Sequence, residues 1–153
     1  MTTRAAYSTI GWRENIGLPE LGISSLKAKI DTGARTSALH AKVIGTKVID
    51  GRRMVEFDLP TALHLSSRRR LMPVVDKRDI RNTSGVPQKR YVIETLFVLG
   101  DRRWKIEITL ADRNDMTFEM IIGRTAIRDR KLLVDPGRSF LAQAPKGPRA
   151  PRF

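Results

Sequence analysis

The chain has 153 residues and a formal net charge of +13, with 41% hydrophobic and 29% charged residues, a length and balance that suit one globular domain able to hide roughly 70% of its unfolded surface. Cysteine is absent, which excludes disulfide stapling, thiolate nucleophiles, cysteine-held zinc and iron–sulfur clusters. No apolar run reaches the ~20 residues of a membrane span, and MTTRAAYSTIGWREN at the N-terminus lacks a secretory apolar core, so the expected setting is the cytoplasm, away from any membrane.

In chain order, residues 1–21 read as an N-terminal extension, followed by a single domain over 22–141. Lys27-Ala28-Lys29-Ile30 alternates polar and apolar residues, the mark of a half-buried strand. Asp50-Gly51 separates Lys47-Val48-Ile49 from Arg53-Met54-Val55, a strong hairpin signal, and Val55, Phe57 and Leu59 continue the alternation. Tyr91, Ile93, Thr95, Phe97 and Leu99 form one face of a longer run, which Gly100-Asp101 joins to a second run of Trp104, Ile106, Ile108 and Leu110. Met116, Phe118, Met120 and Ile122 alternate again. Only residues 124–131 read as helical, too short to cover a parallel sheet. Closely spaced strands with one short C-terminal helix predict a mainly β, mainly antiparallel closed or folded barrel. The end, AQAPKGPRAPRF at 142–153, carries three prolines, three positive charges and no apolar periodicity, and reads as a disordered basic tail.

The positive charge is mostly arginine, 20 Arg against 9 Lys, and it is uneven: residues 66–90 hold eight basic and two acidic residues. Arginine presents a planar fork matched to carboxylate and phosphate oxygens. Such a surface implies an anionic partner, whether RNA, ribosome or acidic polypeptide; the bland alternative is a solvated charged face. Aromatics that would stack bases are not interleaved with the basic run, and no RNP-type motif or zinc finger is present.

The most specific string is Asp31-Thr32-Gly33-Ala34, directly after the strand at 27–30. Some ninety residues later comes Ile121-Ile122-Gly123-Arg124, then the helical segment. This pairing resembles the retropepsin-like aspartic proteases, in which Asp-Thr/Ser-Gly lies on one loop and two apolar residues plus glycine precede a short helix on another. The chemistry asks for those residue types. Peptide hydrolysis needs a base to take a proton from water and an acid to protonate the carbonyl oxygen. Two adjacent carboxylates cannot both ionise, so they share one proton and supply both functions. Only one Asp-Thr-Gly occurs here, which implies a symmetric homodimer with one Asp31 from each subunit. In that arrangement Thr32 bonds across the dimer, Gly33 and Ala34 shape the tight turn, and Ile121, Ile122 and Gly123 pack beneath it. The bland reading of a lone Asp-Thr-Gly is a turn.

The likeness extends over 22–141. KAKIDTGARTSALHA (27–41), RYVIET (90–95), WKIEITLADRNDMTFEMIIGRTAI (104–127) and LVDPGRSFL (133–141) resemble one bacterial family. It is usually labelled "ATP-dependent zinc protease" and includes RimB-type proteins linked to glutamate ligases that tail a ribosomal protein. The resemblance implies a single retropepsin lobe and an atypical aspartic endopeptidase acting on poly-α-glutamate. The residues themselves give no basis for that label. His40 and His64 are too far apart for HExxH, and no GxxxxGK[ST] loop is present, so neither a metal nor another cofactor is expected. His40 reads as structural. Retroviral enzymes carry aspartate after the second-motif arginine; here Thr125 follows Arg124. The flap is placed within 65–90, so that Arg78, Arg81, Lys89 and Arg90, with Arg35 beside the catalytic loop, would clamp substrate carboxylates. The alternatives are a non-catalytic adaptor binding ribosome or RNA through Arg68, Arg69, Arg70 and the tail, and a metal-dependent hydrolase.

Overall fold

Alternating apolar side chains draw most of the chain into strands, seen in a computed structural model that describes residues 6–81, 85–112 and 117–143. In order these are β1 (Ser8–Gly11), β2 (Arg13–Leu18), β3 (Ile23–Asp31), β4 (Ser37–His40), β5 (Lys42–Ile49), β6 (Arg52–Asp58), β7 (Arg69–Pro73), β8 (Asp76–Arg81), β9 (Pro87–Leu99), β10 (Arg102–Ala111), β11 (Met120–Gly123) and β12 (Leu132–Asp135), with one α-helical turn, α1 (Arg124–Ile127), and two 3-10 turns at Pro19–Leu21 and Thr61–Leu63. The fold is mainly β, as the alternation predicts. No helix among the described residues is long and apolar enough to cross a membrane.

Seven strands hydrogen-bond in the order β10-β4-β11-β3-β2-β9-β8, and β9 also pairs with β10. The first six therefore close into a ring. The long strand β9 makes closure possible. One edge takes β10 along Val92 to Leu99; the other takes β2 at Val98 and Leu99 and β8 from Pro87 to Val92. Because β2 and β8 divide that edge, the ring is irregular, and β8 with the start of β9 extends from it as a hairpin. β5, β6 and β7 form a separate antiparallel sheet, while β1 and β12 pair in parallel.

The core fills the ring. Ile16, Leu18, Leu39, Ile93, Phe97, Ile108, Met120 and Ile122 are all fully buried, each stabilising the fold by about 1.5–3 kcal/mol relative to exposure. Phe97 meets Trp104 edge-on at 5.2 Å, and the Trp104 indole N–H donates to the Ala126 carbonyl at 2.8 Å, tying α1 to the sheet.

Several elements differ from expectation. Residues 1–21 read as an extension, but β2 lies between β3 and β9 and carries Ile16 and Leu18 into the core. Its run, RENIGL, hides its strand character because Glu14 is also fully buried. The Glu14 carboxylate accepts the backbone N–H groups of Gly11, Leu141 and Ala142. The helix expected over 124–131 is one turn. Asp129 and Lys131 have φ of 64° and 56°, a left-handed conformation that ends a right-handed helix. The final alternating run becomes a strand only from Met120; Phe118 packs edge-on against Trp12 instead. Met116 and residues 144–153 of the tail lie outside the described residues.

Candidate active site

Asp31 ends β3 and Ser37 begins β4, yet the two strands are not neighbours. β11 runs between them, parallel to β3 (Gly123 opposite Asp31) and antiparallel to β4 (Ile121 opposite Ala38). Residues 32–36 must therefore cross over the end of β11. The crossing is tight: a Cβ on Gly123 would stand 2.6 Å from the Thr36 carbonyl carbon and 2.7 Å from its oxygen. That contact explains the glycine after the apolar pair.

Hydrogen bonds brace the crossing from both sides. The Gly123 N–H donates to Ser37 Oγ at 3.0 Å, and the Arg124 N–H to the Ala34 carbonyl at 2.8 Å. The Arg35 carbonyl accepts from both the backbone N–H and the Oγ1 of Thr125, the latter at 2.7 Å. Arg124 Nη1 donates to the Gly33 carbonyl at 3.1 Å. The missing aspartate after Arg124 is thus made good locally: the guanidinium takes a main-chain acceptor and Thr125 adds a second tie. Ile121 and Ile122 point to opposite faces, as strand neighbours must. Ile122 is fully buried beneath the loop, while Ile121 lines the space above it.

Asp31 is half-buried, and its Oδ1 accepts the Gly33 N–H at 3.1 Å, fixing the carboxylate over its own turn. Thr32 is exposed, and its hydroxyl bonds to no described residue. Asp31 faces a cleft of about 890 Å³ that is also lined by Gly33, Ala34, Thr36, Ala38, Ile121 and Thr125. The opposite wall is the β8–β9 hairpin, the part of 65–90 that reaches the cleft.

Of the basic residues singled out, Arg35, Arg78, Arg81 and Arg90 line this cleft; Lys89 does not, and sits 3.4 Å from Asp79. Arg78 is held by Glu107 and Asp76, each at 2.7 Å. These bonds, Glu107 first, raise the Arg78 pKa above its ordinary value. The same guanidinium, with the Lys77 N–H, pulls the Asp76 carboxyl below the ordinary carboxylate range. Arg90 is nearly buried. Glu107, Asp79 and Arg128 also line the cleft but were not singled out from the sequence. Arg128 was within reach of sequence reasoning, since it lies four residues after Arg124 in a segment read as helical; Glu107 carries no signal beyond its outward place in an alternating strand.

The other candidates lie elsewhere. His40 is half-buried, with Nδ1 3.2 Å from Glu119 Oε2 and Nε2 3.8 Å from Asp112 Oδ1. His64 is exposed on a separate turn. Among the described residues no group of three or more His, Cys, Asp or Glu is arranged to hold a metal ion. The basic run Arg68, Arg69 and Arg70 is engaged within the fold. Arg68 donates to Leu59, Arg70 to Leu21, Ser67 and Arg69, and Arg69 pairs with Asp58 and Glu56.

Comparison with known proteins agrees with this geometry. A solved structure from Legionella pneumophila, of a protein named Lpg0085 with unknown function, superposes with a TM-score of 0.74 at 28% identity, covering 89% of this chain and 98% of that one. The chain is 42% identical over 139 residues to a probable alpha-L-glutamate ligase of Desulfotalea psychrophila, and 39% identical over 135 residues to one of Shewanella pealeana. These matches cover 89% and 86% of this chain but only 30% and 29% of those proteins, so the chain corresponds to under a third of their length. The family model described as retropepsin-like aspartic endopeptidase RimB matches residues 9–145. An Asp-Thr-Gly loop braced over an Ile-Ile-Gly strand end, in a chain matched almost throughout, places this protein in the RimB-like family of retropepsin-like aspartic endopeptidases.

Proposed function

We propose that the chain is an aspartic endopeptidase that hydrolyses peptide bonds in an acidic polypeptide, with one Asp31 from each of two subunits forming the catalytic pair. The single observation that carries this reading is Asp31 itself: a half-exposed carboxylate at an open cleft, fixed by the Gly33 N–H on a loop whose backbone is braced by Gly123, Arg124 and Thr125. The exposed Thr32, whose hydroxyl is uncommitted among the described residues, supports pairing with a second copy. At the two-fold axis the carboxylates would share one proton, since two like charges so close cannot both persist.

The ionised member takes a proton from water. The oxygen of that water bonds to the peptide carbonyl carbon while the protonated member donates to the carbonyl oxygen. Collapse breaks the C–N bond: the departing nitrogen takes the proton that the first aspartate removed from water, and the second aspartate recovers one from a hydroxyl of the intermediate, restoring the shared-proton pair. The chain's own residues supply each of these functions.

The substrate we assign is a poly-α-glutamate tail on a ribosomal protein, met in the cytoplasm. The basic cleft supports an acidic chain, and the relatives named probable alpha-L-glutamate ligase support glutamyl polymers. A basic RNA or ribosome adaptor is less well supported, because Arg68, Arg69 and Arg70 already bond within the fold. Incubation of the purified chain with poly-α-glutamate, followed by mass analysis of chain length, tests the reading. Wild type should shorten the polymer and Asp31→Asn should lose at least about 10³-fold in rate; equal rates would remove Asp31 from the mechanism.

A further inference from the structure

Five arginines line the cleft beside Asp31, and they differ in what already engages them. On the hairpin wall, Arg78 bonds Asp76 and Glu107, Arg90 bonds Gln88, and Arg81 bonds the Gly85 carbonyl. On the opposite wall, Arg35 and Arg128 are exposed, and neither side chain has a hydrogen bond or ion pair to a described residue. Their backbones, by contrast, are fixed. The Arg35 carbonyl takes two bonds from Thr125, and the Arg128 N–H donates to the Arg124 carbonyl at 2.9 Å. Arg124 in turn bonds Gly33 and Ala34. The brace that positions Asp31 therefore also fixes the backbone at the base of two uncommitted arginine side chains.

We infer that Arg35 and Arg128 form the specificity pair that reads substrate side-chain carboxylates at the bond to be cut, and that Arg78 is a positioning residue holding the hairpin. This rests on the proposed hydrolysis of an acidic chain. A carboxylate arriving at Arg78 must displace Asp76 or Glu107, exchanging one ion pair for another. A carboxylate arriving at Arg35 or Arg128 forms charge-assisted, bidentate bonds where none existed. Both heads face solvent, so the gain is sensitive to salt.

The test is binding of fluorescein-labelled poly-α-glutamate to the full chain carrying Asp31→Asn, with poly-α-glutamine as the neutral control. Arg35→Gln and Arg128→Gln should each weaken binding about tenfold and flatten its salt dependence. Arg128→Lys should recover part of the loss, and Arg78→Gln should change affinity less than about threefold. Unchanged affinity in both the Arg35 and Arg128 variants, or a larger loss in Arg78→Gln than in either, overturns the assignment. So does failure of the parent to prefer the glutamate polymer. The same substitutions in the Asp31-containing chain separate the two ideas. Cleavage with unaltered KM in the Arg35 and Arg128 variants defeats the pair and leaves the hydrolase standing. The expected binding pattern without any cleavage does the reverse.

Discussion

Gly123 occupies a place where no side chain fits. The nearest atoms to an added Cβ are the Thr36 backbone C, O and N, all within 2.9 Å, and backbone in a crossing braced by hydrogen bonds from Gly123, Arg124 and Thr125 cannot step aside as a flexible side chain would. Gly123→Ala should therefore destabilise the fold by about 2–3 kcal/mol, read as a lower denaturant midpoint with an unchanged slope. It should also depress activity more than that loss explains, because the same contact sets the height of the Asp31 loop. A variant as stable as wild type would show that the crossing is looser than described. Much of this site was legible in the residues: Asp31, the following turn and the Ile-Ile-Gly string all meet, as their types and order suggest. The brace made by Arg124 was not legible, because its acceptor, the Gly33 main-chain carbonyl, leaves no trace in side-chain identity.

At the level of elements, strands whose residue types alternate between apolar and polar were readable, while β2 and the strongly basic strands were not. The Asp50-Gly51 hairpin forms with both residues at positive φ, 52° and 76°, the geometry its dipeptide favours. β10 alternates as far as Ile108, with Lys105 and Glu107 exposed, and is buried from there to Ala111. β2 is enclosed by β3 and β9 and loses the period-2 pattern. β7 and β8 were concealed for the opposite reason: their arginines dominate the sequence, and their strand character comes from pairing with β6 and β9. Ion pairs fasten both of these basic strands. Asp58, bonded by Arg69, and Asp76, bonded by Arg78 and the Lys77 N–H, are each held below the ordinary carboxyl value of 3.8. A carboxyl with a lowered folded-state pKa stabilises above its unfolded value, and that contribution disappears as pH falls through the lowered midpoint. Carboxyl-carbon NMR titration should place both midpoints below 3.8, moving upward in high salt, and more so for the exposed Asp76 than for the half-buried Asp58. Midpoints at or above 3.8 would mean that the pairs do not form in solution.

Across the whole molecule, charge and topology converge on one wall-to-wall cleft. A net charge of +13 attracts anions in general, but only part of that charge is available, since residues such as Arg69, Arg70 and Arg78 are committed to the fold. One chain carries one Asp31 at that cleft, so the proposed chemistry belongs to a pair of chains rather than to the fold alone. The decisive measurement is the rate of poly-α-glutamate cleavage at constant wild-type concentration while the Asp31→Asn chain is added and subunits are allowed to exchange. A shared pair of aspartates predicts a fall to about half at equal amounts and toward zero in excess, because each wild-type subunit is increasingly matched with an inactive one. A rate that stays constant as the variant is added would show that a single chain cuts unaided, contradicting the shared pair.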